Sequence, residues 1–420
     1  MKIAVIGAGW AGLACAVETA RAAHRVTLFE AARQPGGRAR RIDASHGGAA
    51  LDNGQHILIG AYRDTLALMR AVGVDPDTAL LRQPLSLRFA DGGGLALPKL
   101  QPPLDLLAGI AMARGWTWRD KGSLLRTALR WRLDGFRCAP EATVATLCAG
   151  LTPRVLQELI EPLCVSALNT AVAESSGTVF LRVLHDALFG ARGGADLLLP
   201  RCDLGALFPD AALRWLAVRG ATLRMGRRVA SLVRTDGGWR IEDEWFDRVV
   251  IAGAPWDAAR LVRAAGVDAP AWLAAADALR FEAIATLYAD GASALAAPMV
   301  ALRSGPGAPA QFAFDRGQLG GPHGLLALVV SASDQPRELL AEQVLAQAAT
   351  QLGQTRLRIV QTVVEKRATF ACTPGLERPA MQIAPGLAAC GDYLDGPYPA
   401  TLEGAVRSGL DAAQWIGPCG

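Results

Sequence analysis

Lysine is scarce in this sequence: of the 43 basic residues only four are lysines, and arginine supplies the rest. The net charge of +4 is small for 420 residues, and no cluster of basic and aromatic residues follows a strand. We therefore expect no nucleic-acid partner. The weak positive charge is compatible with attraction to an anionic membrane surface.

Cysteine pairs and long apolar runs are also missing. The eight cysteines include no C-x-x-C pair and no regular spacing, which predicts reduced thiols in a cytoplasmic protein. No segment reaches the roughly 18–20 uninterrupted apolar residues that span a bilayer. We therefore expect the protein in the cytoplasm or peripheral on the inner face of the cell membrane. The sequence has no metal-ligand grouping and no G-x-S-x-G motif, so neither a bound metal nor a serine nucleophile is expected.

Apolar residues, in contrast, are abundant. They make up 51% of the chain, against 20% for charged residues, which is typical of a globular protein. A chain of 420 residues suits two intertwined domains better than a single core.

The first thirty residues have the order strand, tight turn, helix, strand. Three glycines spaced as G-x-G-x-x-G open a helix that we predict to end near residue 23. Such glycines permit a tight turn and a close approach to a pyrophosphate, which the N–H groups of the helix start can bind. The acid that ends the second strand could accept both ribose hydroxyls, which favours FAD or NAD over NADP. The predicted binding residues are Gly7, Gly9, Trp10, Ala11, Gly12, Glu30 and Ala31.

A second glycine pair follows at Gly36 and Gly37, and Arg38 comes directly after it. This E-x5-GGR continuation resembles the superfamily of FAD-dependent amine oxidases and phytoene desaturases. In that superfamily the glycine pair and its arginine close over the FAD pyrophosphate. Arginine suits this role because its planar fork can bind two phosphate oxygens at once. The resemblance therefore implies non-covalently bound FAD.

The C-terminal sequence GLAACGDYLDGPYPATLEGAV resembles the closing FAD motif of the same superfamily. By that resemblance, Asp392 bonds the ribityl or phosphate end of FAD. A helix begins after it, and its N-terminus faces the isoalloxazine and stabilises negative charge there. Val229 would offer backbone groups to the adenine. The residues that this resemblance implies are Val229, Gly391, Asp392, Ala400, Thr401 and Leu402.

Together these motifs predict an α/β fold: a Rossmann-like FAD-binding domain of the glutathione-reductase type with an interleaved α+β substrate domain. Residues 221–233 look like a strand pair. Within residues 99–136, tryptophan and arginine on an amphipathic surface fit either a monotopic membrane contact or an ordinary helix layer with a solvated basic face. We assign residues 1–95, 201–262 and 385–420 to the FAD-binding domain, and residues 96–200 and 263–384 to the substrate domain.

The segment LDNGQHILIG, residues 51–60, places polar side chains inside an apolar run, and such groups need partners. With EKRATFACTPGLERP and the C-terminal motif, it resembles the hydroxysqualene dehydroxylase branch. That resemblance implies that the protein removes the hydroxyl of hydroxysqualene, a C30 isoprenoid alcohol, and delivers hydride to give squalene in bacterial hopanoid synthesis. We expect Asn53, Gly54, Gln55 and His56 beside the flavin.

Other activities remain open. The first alternative is a carotenoid or squalene desaturase, and a flavin-containing scaffold of an isoprenoid-synthesis complex is a third hypothesis. Amine oxidation is less favoured, since Thr401 stands where amine oxidases commonly have tyrosine. Only one dinucleotide fingerprint occurs, so the electrons come either from NAD(P)H visiting the flavin or from a separate reductase. Neighbouring enzymes of the squalene pathway are further expected partners.

Dehydroxylation needs an acid, because hydroxide is a poor leaving group. His56 is the leading candidate, since imidazole titrates near neutral pH. It could equally be a structural histidine that fixes its loop against FAD. Tyr398, with Tyr62 and Tyr393, is a second-line candidate on position alone, and His185 has no motif around it.

Overall fold

The computed structural model describes residues 1–333 and 335–418. In chain order its strands are β1 (Lys2–Ile6), β2 (Arg25–Glu30), β3 (Arg41–His46), β4 (Ala49–Asp52), β5 (Leu58–Ile59), β6 (Leu80–Gln83), β7 (Ser86–Arg88), β8 (Gly94–Ala96), β9 (Leu197–Pro200), β10 (Thr222–Met225), β11 (Val233–Thr235), β12 (Gly238–Ile241), β13 (Glu244–Phe246), β14 (Arg248–Ile251), β15 (Phe281–Asp290), β16 (Met299–Ala301), β17 (Phe312–Asp315), β18 (Leu326–Ser331), β19 (Arg358–Phe370), β20 (Gln382–Ala384) and β21 (Leu387–Ala389).

The α-helices are α1 (Trp10–Arg21), α2 (Arg63–Ala71), α3 (Pro76–Ala79), α4 (Leu104–Met112), α5 (Trp118–Leu133), α6 (Val144–Leu147), α7 (Pro153–Val155), α8 (Glu161–Leu168), α9 (Gly177–His185), α10 (Leu204–Leu207), α11 (Pro209–Val218), α12 (Pro255–Ala264), α13 (Pro270–Asp277), α14 (Arg337–Leu352) and α15 (Leu402–Ile416). Two π-helical turns occur at Leu156–Ile160 and Asp186–Gly190, and a 3₁₀ turn at Arg316–Leu319. Within residues 1–333 and 335–418, no helix is long and apolar enough to cross a membrane.

A six-stranded sheet contains strands from both the N-terminal and the C-terminal parts of the chain. Its strand order is β10-β2-β1-β14-β21-β20, parallel except for the edge strand β20. Strand β1 lies between β2 and β14 and is buried along most of its length, as expected for a parallel strand covered on both faces. Helix α1 packs against α15, so the first and last helices share one layer over this sheet.

A five-stranded antiparallel sheet forms the second body of the fold, in the order β16-β17-β18-β15-β19. One face of it packs on α14 through a separate apolar core. The helices α4 to α9 lie in the chain before this sheet, and each contributes buried apolar side chains to the largest core. The predicted combination of a Rossmann-like domain with an α+β domain is therefore what the structure shows.

Two of the predicted elements are shorter than expected. In residues 221–233 only β10 forms a strand before β11 begins, so the predicted strand pair is wrong in its middle part. The reason is a turn at Gly226, which has φ +70°, after which the N–H groups of Gly226 and Arg227 donate to Ala32 and Glu30 rather than to a partner strand. In residues 51–60 the polar stretch between β4 and β5 is irregular.

The assigned domain boundaries remain a proposal. The hairpin of β7 and β8 falls within the stretch assigned to the FAD-binding domain, yet it contacts α4 and β16. Phe89 also forms a parallel bridge with Ala301, which lies in the substrate domain as assigned. These contacts favour a boundary before residue 86.

Candidate functional site

The predicted phosphate-binding turn brings three backbone segments together. A Cβ at Gly12 would lie 1.9 Å from the carbonyl oxygen of Gly7, so only glycine fits where α1 leaves β1. Gly9 forms a parallel bridge with Gly36, and a Cβ on Gly9 would meet the Cα of Gly37 at 3.8 Å. The G-x-G-x-x-G turn and the second glycine pair are thus adjacent in space, as the resemblance implied.

The start of α1 presents free donors beside these glycines. Gly9 is the N-cap and has no side chain to cap the helix. The N–H groups of Ala11 and Gly12 have no protein acceptor within the described residues, as is usual for the first turn of a helix. Together with the helix dipole, such groups suit a phosphate. The indole N–H of Trp10 instead donates to the carbonyl of Ala39 at 3.0 Å, which ties the second glycine loop to the helix.

Glu30 lies at the end of β2, as predicted. Its carboxylate accepts the N–H groups of Ala8 at 2.6 Å and Ala32 at 2.7 Å. Each carboxylate oxygen can accept a further hydrogen bond, so the ribose role remains open to it. Ala31 is exposed beside it. Val229 is buried, and its carbonyl accepts from the Arg260 guanidinium at 3.3 Å.

Arg38 and Asp392 join the two predicted FAD motifs directly. The Arg38 guanidinium forms an ion pair with the nearly buried Asp392 and donates a second bond to the carbonyl of Ala368 at 2.7 Å. The N–H of Gly391 donates to the Ser408 hydroxyl at 2.8 Å. The neighbouring hydroxyl of Tyr393 is buried and has no partner among the described residues.

The start of α15 is a second helix N-terminus with free donors. Thr401 is its N-cap, and the Thr401 hydroxyl accepts from the N–H of Gly404 at 2.9 Å. The N–H groups of Leu402 and Glu403 have no protein acceptor within the described residues. Ala400 adopts the left-handed conformation with φ +56°, which is rare for alanine and is held by a bond from its N–H to the carbonyl of Asp392.

These features fit FAD. Two helix starts with free N–H groups, an adjoining pair of glycine turns, and a partly buried ion pair between the two motifs come together from residues nearly 400 positions apart in the chain. Gly7 to Gly12, Glu30, Gly36 to Arg38 and Ala400 to Leu402 would hold the cofactor. This assignment of individual residues is a proposal.

The LDNGQH segment is held by polar partners, which answers the question that its composition raises. The amide of Asn53 donates to the carbonyl of Arg38 at 3.0 Å and to Glu365 at 2.9 Å. Gln55 accepts from the guanidinium of Arg316 at 3.0 Å. Gly54 is buried, so the segment follows the wall of the site next to Arg38.

His56 is neutral in this arrangement. Burial lowers the pKa of its imidazole, and the charge of Arg38 lowers it further, against the opposing effect of the Gly54 carbonyl. Its Nδ1 lies 3.1 Å from that carbonyl oxygen, so Nδ1 carries the proton and Nε2 is left as an acceptor. An imidazole in this state has no second proton to give.

A pocket with an entirely apolar lining lies in the helical part of the substrate domain. It holds about 570 Å³ of space outside atoms, including some open to solvent. The composition of the sequence did not reveal it, because its walls come from four separated stretches. Its lining residues are Leu85, Leu95, Leu97, Leu106, Ile110, Leu124, Ala128, Trp131, Phe136, Leu159, Ile160, Leu163, Leu184, Leu188 and Phe189.

Tyr398 links this pocket to the start of α15. Its hydroxyl donates to the carboxylate of Asp186 at 2.7 Å, and Asp186 lies between the pocket-lining residues Leu184 and Leu188. Tyr398 is only three residues before the N-cap Thr401, and its carbonyl accepts from the hydroxyl of Thr401 at 2.9 Å. Asp186 was not anticipated from the sequence, in which no motif surrounds it.

Comparison with known proteins shows to which family the chain belongs. The model of the flavin containing amine oxidoreductases matches residues 10–416. The chain belongs to this family. The predicted flavin cofactor and the predicted oxidoreductase class are thereby confirmed.

Relatives of this amine oxidoreductase differ in how much of the chain they match. Hydroxysqualene dehydroxylase of Rhodopseudomonas palustris is 28% identical over 451 residues, which covers 98% of this chain and 97% of that protein. Hydroxyneurosporene desaturase of Cereibacter sphaeroides is 37% identical over 117 residues, only 27% of this chain and 23% of that one. The resemblance to the hydroxysqualene dehydroxylases is therefore confirmed along the whole chain.

Solved structures share the fold. Cyclohexylamine oxidase from Brevibacterium oxydans superposes with a TM-score of 0.68 at 16% identity and covers 99% of this chain and 98% of its own. At this identity the likeness shows the fold alone, and it agrees with the Rossmann-like architecture predicted from the glycine motifs.

Proposed function

We propose that the protein is an FAD-dependent hydroxysqualene dehydroxylase, which reduces an allylic C30 alcohol to squalene within bacterial hopanoid synthesis. The observation that carries this proposal is the similarity to a hydroxysqualene dehydroxylase over 98% of the chain. The apolar pocket agrees with it, because burial of an isoprenoid chain contributes roughly 25 cal/mol per Å² of apolar surface removed from water.

The residues of the chain have distinct tasks in this reaction. The apolar pocket holds the hydrocarbon and keeps water away from the positive charge that develops on the allylic carbon. An acid near the flavin must protonate the hydroxyl as the C–O bond breaks, because hydroxide is a poor leaving group. When bound and reduced, FAD supplies the hydride that this carbon takes up. The start of α15 would stabilise negative charge next to it.

The decisive experiment uses the purified holoprotein. Anaerobically reduced enzyme is mixed with hydroxysqualene, squalene is quantified by gas chromatography, and re-oxidation of the flavin is followed by absorbance. We expect one squalene for each flavin re-oxidised, and no squalene from oxidised enzyme. If the reduced enzyme makes no squalene, the proposal fails.

The same assay separates an enzyme from a scaffold. Glu30→Ala removes the acid at the end of β2, so we expect this variant to lose FAD and squalene formation together. A scaffold with little chemistry of its own would support squalene synthesis in cells regardless of this change.

Carotenoid-type desaturation is the second candidate, favoured by the local similarity to hydroxyneurosporene desaturase. That reaction would start from oxidised FAD and create a conjugated chromophore. Incubating oxidised enzyme with phytoene or squalene tests it, since new visible absorbance would appear only for a desaturase. Amine oxidation is not favoured: Thr401 caps α15 at the position where amine oxidases commonly have tyrosine.

We also propose that α4 and α5 rest on an anionic membrane surface. Their outer faces expose Leu104, Leu107, Trp118, Leu129 and Leu133, each 48–85% accessible. In α5 the exposed apolar residues recur at helical spacing and form one stripe. The arginines beside the stripe are exposed and complement anionic lipids; they are Arg119, Arg126, Arg130 and Arg132. The opposite faces of both helices line the apolar pocket, so a lipid-borne substrate would have a short path into it.

Two sources of electrons for reducing the flavin are proposed, because the sequence has only one dinucleotide fingerprint. Either NAD(P)H reduces the flavin directly or a separate reductase supplies the electrons. Neighbouring enzymes of squalene synthesis would deliver the substrate at the inner face of the membrane. Mixing oxidised holoenzyme with NADPH or NADH under argon distinguishes the two sources. Bleaching of the flavin by either nucleotide would favour direct reduction.

A further inference from the structure

The π-helical turn Asp186–Gly190 changes which way successive side chains face. It continues α9 without a break and closes its hydrogen bonds one residue later than an α-helix does. Leu188 and Phe189 on this turn line the apolar pocket, while the Asp186 carboxylate meets the hydroxyl of Tyr398 at 2.7 Å. The turn therefore places a carboxylate at the edge of a hydrocarbon pocket, in contact with the loop that leads into α15.

Asp186 is also joined to solvent. Oδ1 of Asp186 lies 2.8 Å from Nδ1 of His185. Its Oδ2, which accepts from Tyr398, also accepts from Nε of Arg182 at 3.0 Å. The side chain of His185 is 47% accessible, whereas that of Asp186 is only 20% accessible. A continuous line of hydrogen bonds thus runs from bulk water through His185 and Asp186 to the phenol of Tyr398.

The charges around this line favour an ionised Asp186 and an intact phenol at rest. Burial raises the pKa of Asp186, but hydrogen bonds from His185, Tyr398 and Arg182 outweigh it and hold the pKa below the ordinary value. Burial and the neighbouring carboxylate raise the pKa of Tyr398. The other groups that face Tyr398 are Arg407, whose guanidinium lies 5.1 Å from the phenol ring, and the hydroxyl of Tyr62.

Resting on the proposed dehydroxylation, we propose that Asp186 is a positioning residue that, with His185, relays a proton from water to Tyr398, which protonates the departing hydroxyl. Nδ1 of a protonated His185 passes its proton to Oδ1 of Asp186, and rotation of the carboxyl group about its Cβ–Cγ bond turns this proton toward Tyr398. The direction of the 2.7 Å hydrogen bond then reverses, so that Asp186 donates to the phenol oxygen and the phenol proton becomes available to the substrate.

The step balances in protons and electrons. The phenol proton forms an O–H bond with the substrate oxygen while the C–O bond breaks, and both electrons of that bond leave with water. The proton that Asp186 took from His185 passes to Tyr398, which leaves Asp186 ionised as before. His185 then regains one proton from solvent. The hydride that completes the product comes from reduced flavin, which the proposed function already requires.

Kinetics across pH test the relay. The holoenzyme is reduced anaerobically, and a single turnover with hydroxysqualene is followed from about pH 5 to pH 9. We expect the wild-type rate to fall as pH rises, because the relay takes its proton from solvent. Asp186→Asn keeps an acceptor for Tyr398 but cannot carry a proton, so this variant should be slower by about 10²-fold and lose the pH-dependent fall. Asp186→Glu should recover part of the rate.

A double variant separates a relay from independent effects. If Asp186 acts only through Tyr398, then Asp186→Asn combined with Tyr398→Phe should be no slower than Tyr398→Phe alone. Asp196→Asn is the matched control, since Asp196 is paired with Arg82 and its side chain is 24% accessible. We expect its rate and pH profile to match the wild type.

A measurement on the FAD-free protein does not depend on activity. The chain has four tyrosines, so ¹³Cζ-tyrosine labelling gives four signals, and Tyr398→Phe assigns one of them. We expect the Tyr398 signal to move with pH, and this movement to vanish in Asp186→Asn and His185→Gln but to remain in Asp196→Asn.

The possible outcomes separate the two proposals. An active wild-type enzyme whose Asp186→Asn variant retains FAD, full rate and the same pH profile would overturn the relay and leave the function intact. A Tyr398 signal that titrates unchanged in Asp186→Asn would overturn it as well. A wild-type enzyme that makes no squalene would overturn the function, whatever the tyrosine signals show.

Discussion

Asp52 and Asp186 show how the surroundings of a carboxylate set its charge. Asp52 is almost fully buried, and burial raises its pKa to about 7 despite the N–H of Leu204 and the charge of Arg316. Asp186 is half-buried and receives three side-chain donors, which together lower its pKa. Asp52 precedes Asn53 in the LDNGQH segment, whereas Asp186 contacts the partly exposed His185.

The first prediction concerns the dependence of stability on pH. Because the pKa of Asp52 is raised on folding, the folded protein binds more protons than the unfolded chain between about pH 4 and pH 7. The contribution of Asp52 to the unfolding free energy should therefore be most favourable below this window and fall as pH rises through it. Asp52→Asn keeps an acceptor for Leu204 and removes the titration. We expect this variant to be more stable than the wild type at alkaline pH, by roughly 2–4 kcal/mol.

Thermal unfolding of FAD-free protein on both sides of that pH window measures this difference. Asp236→Asn, which changes an exposed carboxylate in the turn between β11 and β12, serves as the control. Equal pH dependence of Asp52→Asn and wild type would show that Asp52 is ionised in the folded protein.

The second prediction concerns His56. Because its Nδ1–H is donated to Gly54 and its pKa is lowered, we expect a role in holding the wall of the site rather than in proton donation. His56→Ala should weaken retention of FAD, measured by the flavin-to-protein ratio after gel filtration, and leave the pH profile of turnover unchanged. The exposed His323→Ala should alter neither. Full FAD retention with loss of the pH profile would make His56 the acid instead.

At the scale of elements, helices α4 and α5 each have two apolar faces. The inner faces line the pocket, and the outer faces expose leucine and tryptophan to solvent. A monotopic contact uses such an outer face, and arginine strengthens it on anionic lipid. Four exposed arginines of α5 add positive charge beside this face: Arg119, Arg126, Arg130 and Arg132.

The third prediction tests this contact. Replacing Leu104, Trp118 and Leu133 together by glutamine should reduce co-sedimentation with anionic phosphatidylglycerol vesicles by at least about tenfold, because these side chains are 58%, 85% and 78% exposed. FAD content should not change, since none of them touches the cofactor motifs. Val218→Gln and Leu339→Gln, on exposed apolar residues elsewhere, form the control. Undiminished vesicle binding would contradict the proposed face.

Elements were predictable where local sequence decides the backbone. The order β1, α1, β2 and the terminal Glu30 were predicted correctly, because the glycine spacing and the β-branched run constrain each turn. The strand pair at 221–233 was not, because its alternation of apolar residues is interrupted by Gly226, which turns the chain across the end of β2. The apolar pocket could not be predicted, since its lining needs the packing of four distant segments.

At the scale of the whole molecule, the proposed site depends on contacts between distant parts of the chain. Arg38 and Asp392 are 354 residues apart, and Asp186 and Tyr398 are 212 apart. No local periodicity encodes such pairs. The resemblance of the two FAD motifs predicted that they would meet. No sequence motif surrounds Asp186, so its contact with Tyr398 could be found only in the structure.

The last prediction is that bound FAD stabilises the fold, because it would contact residues from both ends of the chain. A ligand that binds only the folded protein stabilises it by about 2.7 kcal/mol at 100 times its dissociation constant. We therefore expect FAD to raise the unfolding midpoint of the apoprotein. Asp392→Asn should lose much of this gain, because the amide no longer holds Arg38 by charge. Asp395→Asn is the matched control, since that carboxylate is 80% accessible and lies three residues away. Full FAD-dependent stabilisation of Asp392→Asn would show that the ion pair does not organise the cofactor site.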